Sequence, residues 1–192
     1  MKTKIILSTL LLLSTLSASE TKFFLAQGIG LSKHKVTVNN KVGNVVLDQK
    51  PTSSGKSTNF EFGYTHTKDY FSTFQYSTLS YTEIDIQNII LTFNKKYIFS
   101  SFDTYVGVAA GISKTKLNTS LINGVTTTKT GQSNIYGIQT GIDKALNEGA
   151  YIYVQYQFLK TNQKRIIKKS GSISELKRDN YSNVSIGVKF TF

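Results

Sequence analysis

The chain is patterned with a period of two. In its last nine residues, 184–192, Val184, Ile186, Val188, Phe190 and Phe192 share one parity, and Ser185, Gly187, Lys189 and Thr191 share the other. Successive strand side chains point to opposite faces, so this stretch is a strand with one apolar and one polar face. The same reading predicts seven earlier strands, at 23–36, 58–67, 70–81, 85–95, 103–116, 132–143 and 149–161, and an eighth at 181–192. In the fifth, Val106, Val108, Ala110 and Ile112 oppose Gly107, Ala109, Gly111 and Ser113. In the seventh, Ile152, Val154, Tyr156 and Phe158 oppose Tyr153, Gln155 and Gln157. The fourth sets Ile89, Leu91 and Phe93 against Asn88, Thr92 and Asn94, and Ile90 breaks its pattern.

Segments near ten residues, even in number, fit a small antiparallel barrel whose tilted strands are long enough to cross a hydrocarbon layer. Short connections follow the second, fourth and sixth segments, and longer ones follow the first, fifth and seventh. The connection after the third is a short exception. Alternation alone does not say which parity faces inward. A soluble ligand-binding barrel in the periplasm would turn the apolar parity toward its centre. The polar parity favours the opposite arrangement, because its Gly, Ala, Ser, Thr, Gln and Asn suit a narrow interior. Glu61, Gln75, Asn88, Gln139, Asp143, Gln155, Gln157 and Lys189 are the candidate lumen residues, as a hydrogen-bonded plug or a narrow gated path. Phe23, Tyr70, Tyr151, Tyr181, Phe190 and Phe192 stand near segment ends, as an interfacial aromatic girdle would. The expected fold is therefore all-β: an eight-stranded antiparallel up-and-down transmembrane β-barrel with protruding extracellular hairpin loops.

The N-terminus reads as an export signal. Lys2 and Lys4 precede an apolar run, 5–16, and the small residues Ser17, Ala18 and Ser19 follow. The run is shorter than the roughly 20 residues of a membrane-spanning helix. The expected division is a signal peptide at 1–19, cut after Ala18 or Ser19, and a barrel domain at 20–192. There is no cysteine, and the one proline, Pro51, falls between predicted strands, where a missing N–H does least harm.

With the signal, the strand count, the stretch 104–113 and the terminal strand 184–192 together, the chain resembles the small eight-stranded outer-membrane β-barrel family, whose members are like the OmpA transmembrane domain and OmpX. The resemblance covers 21–192. It implies an outer-membrane location and a terminal strand, Val184, Ile186, Val188, Phe190 and Phe192, that is read by the barrel-assembly machinery. It also implies strands that continue beyond the membrane as ribbons meeting other proteins. Asn123-Gly124 in the third long loop is a strong two-residue hairpin signal, and Ser170-Gly171 divides the fourth.

Charge adds the second feature. The chain carries a formal net charge of +12. Most of the excess falls in the loops at one end: Lys35, Lys41, Lys50 and Lys56 in the first, Lys114, Lys116 and Lys129 in the third, and Lys160, Lys164, Arg165, Lys168, Lys169, Lys177 and Arg178 in the fourth. Glu83 and Asp85 oppose them after the third strand. Most charge runs are simply solvated surface. A cationic rim at an outer leaflet also faces lipopolysaccharide phosphates, so the fourth-loop residues Lys160, Lys164, Arg165, Lys168, Lys169, Lys177 and Arg178 are the candidate polyanion contacts. Nucleic acid is not an expected partner at that location.

Enzyme chemistry finds little support. The two histidines, His34 and His66, fall near opposite ends of the barrel and are read as interfacial polar residues. No cofactor, metal or catalytic set is expected. The expected function is a non-enzymatic outer-membrane barrel with an envelope-structural or adhesin-like surface role, in contact with outer-membrane lipid, lipopolysaccharide and a surface partner. The alternatives are a lipid A-modifying enzyme using His34 with Asp85 or Glu83, and the soluble periplasmic ligand-binding barrel. Eight strands are too few for a general diffusion pore, which needs about 16.

Overall fold

The computed structural model describes residues 22–42, 45–49, 52–81, 84–117, 130–169 and 172–192. The expected signal peptide, Pro51 and the Asn123-Gly124 turn lie outside them. Nine strands follow in order: β1 (Phe23–Val42), β2 (Val45–Gln49), β3 (Thr52–Thr67), β4 (Tyr70–Ser80), β5 (Ile84–Ile98), β6 (Asp103–Leu117), β7 (Thr130–Asn147), β8 (Ala150–Lys169) and β9 (Ser172–Thr191). Strand β2 pairs only with the far end of β1. The other eight pair antiparallel with their sequence neighbours, and β9 returns to β1, so the sheet closes into an up-and-down barrel. Reciprocal main-chain bonds seal the seam, from the Phe23 N–H to the Phe192 carbonyl (3.2 Å) and from the Phe192 N–H to the Phe23 carbonyl (3.0 Å).

The register fixes the tilt. Following paired residues once around the barrel from Leu25, through Phe62, Phe74, Leu91, Ala110, Tyr136, Lys160 and Asn180, returns to β1 at Lys35, ten residues from the start. A slip of about 33 Å on a circumference of about 38 Å gives a tilt near ~41°.

The apolar parity faces outward. Ile29, Leu91, Val108, Ile138, Val154 and Ile186 are all exposed, whereas Asn59, Gln75, Asn88, Gln139, Gln155 and Gln157 are buried. A water-soluble barrel would reverse this, so the soluble ligand-binding reading is overturned. On β1 the outer belt runs from Phe23 to Leu31, roughly 26 Å along the strand and about 20 Å after tilt. Gln27 is the one polar residue exposed on that stretch of β1, and an exterior so largely apolar suits hydrocarbon, not water. Short turns at 68–69, 99–102 and 148–149 join strands at the end holding Phe23 and Phe192, and Gly149 takes the positive φ (90°) that its tight turn requires.

At the other end the backbone of β1, β8 and β9 continues well past the belt, with β1 paired to β9 as far as Val42–Ser172 and β8 to β9 as far as Lys169–Ser172. Two irregularities interrupt this ribbon. The β1–β9 register skips Asp179 between the pairs Lys35–Asn180 and Val36–Arg178, and the β8–β9 register also shifts between Lys160 and Gln163. A bulge of this kind re-aims the side chains beyond it.

Candidate functional site

The lumen has three levels. The middle is a polar network. The Gln157 amide donates to the Oε1 atoms of Gln75 (2.6 Å) and Gln139 (3.0 Å). Gln139 donates in turn to Asn94 Oδ1 (2.6 Å), and Asn94 donates to Thr92 Oγ1 (2.7 Å), which is bonded to Thr73 Oγ1 (2.7 Å). Asn88 donates to Ser77 Oγ (3.1 Å). Buried polar groups are costly unless paired, and a connected network offsets that cost while fixing each rotamer. All eight candidate lumen residues are inside, as the pattern predicts. Three of them, Gln75, Gln139 and Gln157, close on one another across the barrel as a hydrogen-bonded plug.

Toward the end without termini, the lumen becomes apolar. Leu79, Ile84, Ile86, Ile90, Ala109, Ile135 and Leu159 pack with Tyr81 and Tyr181. Above them Arg178 is turned inward, its guanidinium donating to Thr115 Oγ1 (2.5 Å) and Ser113 Oγ (3.0 Å) and lying 5.6 Å from the Tyr181 ring centroid. Two sequence expectations are corrected here. Arg178 is not a rim contact, because the bulge at Asp179 reverses the parity of β9 and points it into the barrel. Tyr181 is not part of the aromatic girdle, because it shares the inward parity of Asn183 and Ser185, and neither is Tyr151, which shares the parity of the buried Tyr153 and Gln155 and lines the cavity at the terminus end.

His34 is also inside, against the Tyr81 ring (5.4 Å between centroids). It lies past Leu31, the last belt residue of β1, and between the exposed Lys33 and Lys35. Neither ring nitrogen has a hydrogen-bond partner among the described residues. Burial drives its imidazole down to about 3, with Arg178 pushing the same way and Asp179 opposing. His66 packs on the outer face at the terminus end, with Nε2 2.8 Å from Ser72 Oγ and its ring against Tyr64 (4.9 Å) and Phe93 (6.0 Å). The interfacial expectation is therefore corrected for His34, whereas His66 stands among the outward aromatics at the belt edge. His34 faces away from the lipid side, where a lipid substrate would lie. The described residues hold no group of His, Cys, Asp and Glu able to bind a metal ion.

The third level lies at the terminus end. Lys189 forms a buried ion pair with Asp143 and sits over Phe24 (4.8 Å), Phe71 (5.6 Å) and Tyr105 (5.6 Å). Glu61 and Lys189 flank Ala26 from either side. Below them the barrel opens into a cavity of about 600 Å³.

Outside, just beyond the belt at the opposite end, stands a collar of lysines. Lys33 and Lys35 on β1, Lys56 on β3, Lys114 and Lys116 on β6, Lys160 on β8 and Lys177 on β9 are all exposed. On β1 and β6 the change is abrupt: Leu31 is followed on the same face by Lys33, and Ile112 by Lys114. Lys35 and Lys160 flank Asn180. Lys177 pairs with Asp179 (3.2 Å). Long lysine stems lie along apolar surface while their ammonium groups reach the polar layer. Of the predicted polyanion contacts, Lys160 and Lys177 are in this collar. The side chains of Lys164, Arg165, Lys168 and Lys169 lie outside the described residues. Sequence reasoning credited Lys35, Lys56, Lys114 and Lys116 only as loop charge and omitted Lys33. Their shared parity with the belt is the signal that joins them. The terminal residues Val184, Ile186, Val188, Phe190 and Phe192 all face outward.

No protein-family model matches the chain, and no curated protein matches it in sequence. Solved structures do. Neisserial surface protein A superposes with a TM-score of 0.63 at 12% identity, over 91% of this chain and 100% of that one. Weaker likenesses reach the outer membrane protein OprG of Pseudomonas aeruginosa (TM-score 0.48, 13% identity, 92% and 98% covered) and the outer membrane protease OmpT of Escherichia coli (0.49, 9%, 93% and 100%). At these identities the likeness concerns the fold alone. It is the fold of the small outer-membrane barrels, eight strands closed around a filled lumen.

Proposed function

We propose that this chain is a non-enzymatic barrel of the outer membrane, with a closed lumen and a surface role at its outer rim. There the lysine collar holds the phosphates of lipopolysaccharide or a comparable surface polyanion. The observation that carries the reading is the placement of the collar. Seven exposed lysines stand just beyond a belt built for hydrocarbon, Lys33 and Lys114 directly on its edge, which is the height at which a lipid headgroup presents its charge. Phosphate attracts ammonium groups there, and the neighbouring low-dielectric layer strengthens the attraction. The plugged lumen argues against solute passage, and the inward His34 argues against the lipid A-modifying alternative. Beyond the collar, the ribbon of β2, β1, β9 and β8 supplies a surface for a protein partner. The terminal strand, whose outward parity is unbroken, supplies the segment that assembly machinery would read.

The test is a salt titration. Refolded protein is mixed with lipopolysaccharide micelles at low and high ionic strength, beside a variant with Lys33, Lys35, Lys114 and Lys116 changed to Gln. A second variant changes Lys164, Arg165, Lys168 and Lys169. Exposed pairs are screened over about 8 Å at physiological salt, so the native protein should bind more weakly as salt rises and the collar variant more weakly throughout. Equal binding by native and collar variants, or binding indifferent to salt, would make the lysines an ordinary solvated surface.

A further inference from the structure

The lumen is sealed at one end and open at the other. Toward the outer end, Leu79, Ile86, Ile90, Ile135, Leu159 and Arg178 are packed to near-zero exposure. At the terminus end the cavity of about 600 Å³ is a blind cup, within the ~300–1,000 Å³ range of small-molecule sites. Its floor is the Lys189–Asp143 pair seated on the Phe24 and Phe71 rings. Its two acids are both engaged, Asp143 with Lys189 and Asp103 with Lys96 (3.5 Å). Two further lysines line the cup, Lys22 before β1 and Lys68 in the β3–β4 turn. They carry no ion pair among the described residues. The segments that carry them run side by side, since the N–H of Thr65, near the end of β3, donates to the Lys22 carbonyl (2.9 Å). Tyr151 and Ile98 give the same walls an apolar component, whereas the Tyr70 ring stacks on Phe93 of the outer face.

We infer that this cup binds a small organic anion, a carboxylate or phosphate joined to a compact apolar or aromatic body. The anionic group is held by Lys22 and Lys68 at the mouth, and the body rests against Tyr151 and Ile98. The chemistry follows from the residual charge: two cations without acidic partners beside aromatic surface. The blind end makes the cup a site of capture, not of passage. It lies at the opposite end of the barrel from the collar, so failure here leaves the proposed outer-rim function untouched.

The experiment uses the full refolded chain, labelled for amide NMR, in micelles of an uncharged detergent. Benzoate is the probe, and benzyl alcohol is its neutral counterpart. Benzoate should give saturable shifts confined to amides lining the cup, such as Thr65, Thr67, Lys68 and Tyr151, while benzyl alcohol at equal concentration should give at most a fifth of the occupancy. K22Q/K68Q should weaken benzoate binding at least fivefold, and K114Q/K116Q, on the far collar, should leave it unchanged. Both cup lysines are exposed, so their replacement leaves the packed interior intact. A fingerprint spectrum of the variant checks this. Shifts spread over the belt, equal response to the two probes, or undiminished binding by a folded K22Q/K68Q protein would each overturn the inference.

Discussion

Replacing Val108 with Arg tests which way the barrel faces. Val108 lies on the outer face of β6, between Phe93 of β5 and Ile138 of β7, and 62% of its surface is exposed. If that exposure were to water, the substitution would belong to the ordinary surface class, within about 0.5 kcal/mol of neutral. If it is to lipid, a guanidinium is placed in hydrocarbon. The collar residue Lys114 is six residues away, roughly 20 Å along the strand and about 15 Å along the barrel axis. That is farther than an arginine side chain reaches. A cation near the middle of a lipid-facing barrel costs about 2–4 kcal/mol, falling to about 0–1 near the interface. Val108→Arg should therefore shift the folding equilibrium by roughly 30-fold to 1,000-fold, and Leu31→Arg, at the belt edge, by under about fivefold. Reversible urea unfolding of both variants in bilayers of one defined thickness would read the difference. A Val108→Arg protein as stable as the native one, or a Leu31→Arg protein equally damaged, would refute the reasoning. Gly107 is not a neutral control on the inner face, because a Cβ there would lie 2.5 Å from the Phe93 carbonyl oxygen.

Other outcomes follow from the same geometry. Lys189→Met leaves Asp143 buried without its partner and should cost about 3–5 kcal/mol, while the double variant with Asp143→Leu should recover much of it; a double variant no more stable than the single one in urea unfolding would contradict this. For His34, the folded imidazole titrates at about 3 and the unfolded one near 6.5. Its contribution to stability is therefore complete above about pH 6.5 and is lost as pH falls toward 3, by at most about 1.4 kcal/mol per unit. His34→Gln should flatten that part of the pH profile of unfolding, and superimposable profiles would count against the buried neutral ring. Deleting Phe192 removes an outward belt residue and both bonds of the seam with Phe23. It should sharply reduce the yield of folded protein in outer-membrane fractions, and a normal yield would discount the terminal strand as an assembly signal.

Much of this barrel was legible in the sequence because its strands alternate cleanly where one face meets hydrocarbon. On β6, β8 and β9 the predicted parities hold from turn to belt edge. The eight lumen polar residues also read correctly, since Gln, Asn, Glu and Lys recurring opposite an apolar parity have only the interior to occupy. The outer half of the lumen was less legible. On β5, Ile86 and Ile90 face in while Ile89 and Leu91 face out, so both parities are apolar and alternation loses its contrast. Ile90, a flaw in the pattern by sequence, is a core residue in the structure. Arg178 misled for a different reason. An arginine in a basic loop reads as exposed, and only the register shift at Asp179 beside it turns it inward. Bulges of that kind leave no periodic trace. The collar was half visible. Its lysines counted toward a loop charge, but their alignment on one face above the belt needs the register between strands.

The claim on which everything else rests is that the apolar parity faces lipid and the lysines ring its edge. The chain has no cysteine, so single cysteines can be introduced at Ile29, Val108, Tyr136 and Ile186 in the belt, and at Lys33 and Lys114 in the collar. Each can carry a nitroxide in the refolded, bilayer-embedded protein, with accessibility measured to oxygen, which concentrates in hydrocarbon, and to a water-soluble nickel chelate. The account predicts oxygen-accessible, nickel-protected labels at the four belt positions and the reverse at the two collar positions. Nickel access at Val108 and Ile186 equal to that at Lys114 would contradict it.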